Sequence, residues 1–176
     1  MRSAVPDRPV RAALFGSVKD VAHAVRGLLK AGFRQDRISV VCSDRTKEAL
    51  FAAYEHEHPA GDTTPTAAGV GALIGGIAAG AAGLVAVSGL VTTSGVGLVV
   101  VGPLLAGTGA AFGTFVGAMM SRGVEDEVAN YYDQALPRGM ILVAAEIDAR
   151  DDAALLERAE RVFEESGAHP VALPHG

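Results

Sequence analysis

The chain has 176 residues and a formal net charge of −5, from 15 Lys+Arg against 20 Asp+Glu. That balance excludes a nucleic-acid binder built on bulk positive charge. A single cysteine excludes an internal disulfide and any Cys-rich metal site. Residues 1–62 carry 10 basic and 8 acidic side chains. Their first eight residues hold no apolar run ahead of a cleavage site, so the polar parts are expected in the cytoplasm. Val10 to Phe15 predicts a short buried strand, and Ser17 is a candidate N-cap for a helix from about Val18 to Ala31. Val21, Ala24, Val25, Leu28 and Leu29 share one face of that helix, and Gly32 stands where a left-handed C-terminal stop is needed. Ile38 to Cys42 predicts a second strand, followed by a polar helix over about Lys47–Tyr54.

Residues 63–121 contain no Asp, Glu, Lys, Arg or His. This zone holds 14 of the 22 glycines, 12 alanines and 21 large apolar residues. Thr64 as N-cap with Pro65 behind it predicts a helix running to about Leu90. Val91 to Gly97 reads as a loop, and Pro103 opens a second helix whose apolar part runs from Leu104 to Met120 and continues toward the polar helix after Arg122. Residues 67–90 would reach ~36 Å as a helix, enough for a ~30 Å hydrocarbon core, and residues 104–120 only ~25 Å. The small residues recur at i+4: Gly71, Gly75, Ala79 and Gly83 in the first segment, and Gly109, Gly113 and Gly117 in the second. Such rows allow close helix–helix approach, whereas each glycine would cost about 1 kcal/mol relative to Ala in an exposed helix. A glycine-zipper contact face is therefore expected, in a transmembrane helical hairpin or in the core of an oligomer.

The last zone, 122–176, carries 5 basic and 12 acidic residues. A helix over about Val124–Ala135, a strand over Met140–Ile147, an amphipathic helix over Asp151–Glu165 and an edge strand at Pro170–Leu173 follow in order. Two β-α-β halves, each with a helix closed by glycine, predict an α+β ferredoxin-like split β-α-β sandwich interrupted by a glycine-rich apolar helical hairpin. The expected division is 1–62 for the first half with its polar helix, 63–121 for the hairpin, and 122–176 for the second half, pairing with residues 10–42.

Ala13-Leu14-Phe15, Ala31-Gly32-Phe33 and Asp36-Arg37-Ile38-Ser39-Val40-Val41 resemble the general stress protein 17M-like domain of bacteria. Gly102-Pro103-Leu104, Glu125-Asp126-Glu127, Tyr131-Tyr132 and Gly139 to Val143 are similar to its long relatives that carry a glycine-rich insert, so the resemblance covers about residues 11–173. It implies a stress-associated, often membrane-predicted protein of unassigned biochemistry, and it brings no catalytic residues.

No constellation of residues supports a reaction. Glu55-His56-Glu57-His58 places its histidines two apart, not at the i, i+4 spacing of a helical metal pair. Cys42 has no i+3 partner and reads as a core thiol, and His23 sits at the edge of an apolar helix face. Phosphate-loop, dinucleotide, nucleophile-elbow and zinc-protease patterns are all missing. Tyr131 and Tyr132 are candidate membrane-interface residues, with packing of a helix on the sheet as the equal alternative. The expected function is a non-enzymatic, membrane-associated stress-type protein, a homo-oligomer with no cofactor and both polar parts cytoplasmic. The alternative is a soluble or peripheral accessory subunit, a cytoplasmic oligomer whose apolar helices shelter a lipid, a quinone or a larger protein partner.

Overall fold

The computed structural model describes residues 10–51, 87–93, 96–102, 104, 115–147 and 153–169. Strand β1 (Val10–Phe15) leads through Gly16 into helix α1 (Val18–Lys30). Ser17 caps α1 as expected: its Oγ accepts from the Asp20 amide at 3.2 Å and donates to the Asp20 carboxylate at 2.8 Å. Gly32, at φ 103°, ends it, and the Phe33 amide donates back to the Leu28 carbonyl at 3.0 Å. A short 3-10 turn (Gln35–Arg37) feeds β2 (Ile38–Ser43). The helical turn after β2 begins earlier than expected, at Asp44, because Ser43 Oγ accepts from the Thr46 amide. It widens into a π-type turn over Lys47–Phe51.

The next described elements correct the expectation for the middle of the chain. Where a helix end and a loop are predicted, β3 (Val87–Thr93) and β4 (Val96–Val101) form an antiparallel hairpin across the Ser94-Gly95 link. Eight of the fifteen residues from Val87 to Val101 are β-branched, which disfavours a helix and suits a pleated ladder. Helix α2 (Phe115–Met120) also departs from the sequence reading. It stops at a turn through Gly123, and α3 (Asp126–Ala135) is a separate helix. A 3-10 turn then leads to β5 (Ile141–Glu146), and α4 (Ala153–Glu165) follows. Residues 64–86 of the helix predicted to run to about Leu90, residues 105–114 of the second predicted helix, the edge strand at 170–173 and the end of the polar helix lie outside the described residues.

The architecture is α+β, with a five-stranded antiparallel sheet in the order β1-β5-β2-β4-β3. β5 runs antiparallel between β1 and β2, with Leu14 opposite Leu142 and Val40 opposite Val143. The expected adjacency of Val10–Phe15 and Met140–Ile147 is thus realised across more than a hundred residues of chain. Outside β1, His169 makes a single antiparallel bridge to Leu14, its amide donating to the Leu14 carbonyl at 2.8 Å.

Alternation along the strands supplies two cores. Phe15, Ile38, Val40, Cys42, Ile141 and Val143 pack under α1 and α4, and Leu14, Val41, Val100, Leu142 and Ala144 pack under α2 and α3. Helices α1 and α4 approach closely at Gly27, where a Cβ would lie 2.6 Å from Val162 Cγ1. Arg11 Nε meets Glu160 Oε1 at 2.5 Å on the surface and ties β1 to α4.

Candidate functional site: the junction of the uncharged insert

Two uncharged stretches, 63–86 and 105–114, border described structure at Val87, Leu104 and Phe115. The junction at Leu104 depends on close backbone contact. Gly102 is buried at φ 113°, and a Cβ there would sit 2.6 Å from both Ser39 Cα and Ser39 Oγ. Only glycine allows that backbone conformation against the β2 main chain. Ser39 is itself fully buried, and its Oγ accepts from the Leu104 amide at 2.9 Å. The Gly102-Pro103-Leu104 element therefore turns the chain out of β4 across the start of β2, with Leu104 buried in the α2/α3 core.

The opposite junction is α2. Phe115, Ala118 and Met119 are buried against the sheet, while Val116 and Gly117 are half-buried and Met120 is 47% exposed. Gly117 is the one residue of the expected contact face that is described. Gly71, Gly75, Ala79, Gly83, Gly109 and Gly113 lie outside the described residues.

Beneath the turn after α2, Arg122 and Glu146 form a buried ion pair between Nη1 and Oε1, with side chains 4% and 0% exposed. Glu146 shares the β5 face of Leu142 and Ala144, so the pair lies inside the α2/α3 layer. Sequence reasoning missed this pair. Arg122 is the first charge after 59 uncharged residues, and Glu146 is the acid at the end of an otherwise apolar strand. No pattern in the sequence links the two.

Tyr132 is 4% exposed and packs in the same core, its hydroxyl donating to the Ala12 carbonyl at 2.8 Å. Its neighbour Tyr131 is half-buried and meets the Tyr132 ring edge-on at 6.4 Å. Tyr132 thus packs α3 on the sheet, with Tyr131 partly buried at the edge of the same core.

Cys42 is fully buried on β2, the core thiol expected of it. Burial, with Asp44 adding and Lys47 opposing, pushes its pKa up to about 12. Burial also pushes Tyr132 up to about 12, against the opposing charge of Arg11 and with Tyr131 adding. Above pH ~8.5 the unfolded chain starts to release protons that the folded one retains, so stability falls as pH rises from about 9 toward 12. Urea midpoints are expected to be flat from pH 7 to 8.5 as far as these two groups are concerned. They should then decline, each group contributing at most about 1.4 kcal/mol per pH unit. Cys42→Ala should remove the earlier part of the decline, because Cys ionises before Tyr in the unfolded chain.

His23 is exposed on α1, and His56 and His58 lie outside the described residues. Among the described residues no three His, Cys, Asp or Glu side chains gather as a metal site, and no helix is long and apolar enough to cross a membrane. Comparisons with known protein families, with curated proteins and with solved structures find no match.

Proposed function

We propose that the chain is a non-enzymatic, membrane-associated, stress-type protein: a ferredoxin-like split β-α-β body that self-associates through an uncharged, glycine-rich insert. One observation carries this reading. Residues 63–121 carry no charged side chain or histidine and repeat small residues at i+4, whereas the described side chains of β1, β5 and β2 pack under α1 and α4 on one face and α2 and α3 on the other. The uncharged stretches 63–86 and 105–114, with Gly71, Gly75, Ala79, Gly83, Gly109 and Gly113 at i+4 spacing, are the part of the sequence this reading assigns to self-association. The ferredoxin-like assignment is supported by strand order. With β5 between β1 and β2 and the His169 bridge outside β1, the two β-α-β units interleave as that fold requires. The resemblance to the general stress protein 17M-like family supports the stress role.

Self-association is supported at α2, where Phe115 and Met119 are buried with Val116 packed against their core, while Gly117 is half-buried and Met120 is exposed. Gly113→Leu adds a bulky side chain to the same predicted stripe, and overpacking should outweigh the gain in helix propensity. Cross-linking in mild detergent is expected to show loss of the oligomer in Gly113→Leu and retention in the control Val116→Leu. An unchanged oligomer with a lower melting temperature would place the contact within one chain, and no effect on either property would remove the contact face. Alkaline extraction of membranes tests the location. Retention in the pellet supports membrane association, and release as a large oligomer would favour the accessory-subunit alternative.

A further inference from the structure

We propose that the outer face of the α1/α4 layer docks a second copy of this chain, with α1 of each copy lying over α4 of the other. The exposed residues of α1 are Lys19, His23, Arg26 and Lys30. Their spacing of four, three and four residues sets them in one stripe, opposite the buried Val21, Val25 and Leu28. The acid of this helix, Asp20, is half-buried and accepts a hydrogen bond from Ser17 Oγ. The outer surface of α1 is therefore basic along its whole length.

Helix α4 carries the opposite sign. Its exposed residues are Glu157, Arg158, Glu160, Arg161, Glu164 and Glu165. Two of these are engaged within the chain: Arg158 Nη1 donates to the Ala31 carbonyl at 3.2 Å, and Glu160 pairs with Arg11. That leaves Glu157, Glu164 and Glu165 against Arg161. Among the described residues, neither the α1 stripe nor these three glutamates enters an ion pair.

The two helices lie side by side and antiparallel, since Gly27 meets Val162 and Ala31 meets Arg158. In that register Lys30 is level with Ala159, and Arg26 is level with Phe163. Two copies stacked face to face have two simple two-fold arrangements. An axis across the helices lays α1 on α1 and opposes like charges. An axis along the helices lays α1 on α4 and keeps the levels, so Lys30 faces the neighbourhood of Glu157 and Arg26 that of Glu164, each twice. Charge selects the second arrangement. An anionic membrane surface would attract the α1 stripe and repel the α4 glutamates beside it, whereas a second copy satisfies both. Each helix has 13 residues and is ~20 Å long, so the face is small for a protein interface and the association is weak and screened by salt.

Charge reversal tests the pairing in the full-length protein, by sedimentation equilibrium in mild detergent at low ionic strength. The parent is expected to associate and to dissociate further as salt is raised. Arg26→Glu and Glu164→Arg should each weaken association about tenfold or more, because each reverses both symmetry-related contacts. An equimolar mixture of the two variants should recover it, since both contacts between unlike copies are then attractive. Lys30→Glu with Glu157→Lys repeats the test one turn away. No association of the parent, unchanged association of the single variants, or no recovery on mixing would each overturn the proposal. So would loss of binding to phosphatidylserine vesicles in Arg26→Glu with association unchanged, which would assign the stripe to a membrane. The contact is independent of the glycine-rich insert: an insert-held oligomer persists in every charge variant, and failure of the Gly113→Leu test leaves the mixing result unaffected.

Discussion

Gly102→Ala is expected to remove about 2–5 kcal/mol of stability, the sum of ~1–2 for a left-handed backbone and ~1–3 for overpacking. Both causes are present at this position: φ is 113°, and the new Cβ would sit 2.6 Å from Ser39 Cα, a backbone atom with no rotamer to yield. Moving the turn away would also loosen the 2.9 Å bond from the Leu104 amide to Ser39 Oγ and leave a buried hydroxyl short of a partner. Gly32→Ala is the matched control. Its φ is 103°, yet nothing lies within 4 Å of the added atom, so it reports the backbone cost alone. Urea denaturation of both variants gives the difference, and equal losses would mean that the contact with β2 contributes nothing. A loss of this size is a large part of the ~5–15 kcal/mol that holds a typical domain.

Arg122→Met is expected to cost about 3–5 kcal/mol, because it leaves Glu146 charged and fully buried among apolar side chains. Replacing both partners, as Arg122→Met with Glu146→Leu, should recover most or all of that loss, since the desolvation of two charges offsets much of their attraction. The double-mutant cycle, read by chemical denaturation, separates the pair's coupling from the cost of an orphaned charge. Near-additive losses would show that the two groups act independently. If the double variant is as stable as the parent, the pair serves position more than stability. It fastens the turn at the end of the uncharged zone to the end of β5.

Much of the polar body was legible in the residues. Ser17, the apolar face of α1 and Gly32 mark a helix whose capped ends match the structure, because caps and 3.6-residue periodicity are local properties. The pairing of β1 with β5 followed from the repeated β-α-β order, which strand alternation and terminal glycines reveal without tertiary information. The hairpin at Val87–Val101 was misread because its glycines and small residues continue the composition of the preceding helix-like stretch. Its β-branched residues and the Ser94-Gly95 dipeptide were the available signals. Phe115 and Met119 look the same in sequence whether they face lipid or a sheet, and only their burial against Leu142 and Val41 distinguishes the two. Arg122 and Glu146 illustrate a further limit, since a buried ion pair between distant residues leaves no periodic trace.

The position of β5 between β1 and β2 also sets a timetable. The ribosome makes β1, α1 and β2 first, but β5, the strand that lies between β1 and β2, is encoded about a hundred residues later. At ~5–20 residues per second, roughly 5–20 s pass between the synthesis of Ser43 and that of Glu146. Throughout that interval β1 and β2 lack the strand that pairs with both, and the whole uncharged zone is synthesised within it. The nascent insert is thus available to a membrane, a second copy or a chaperone before its own domain is able to close.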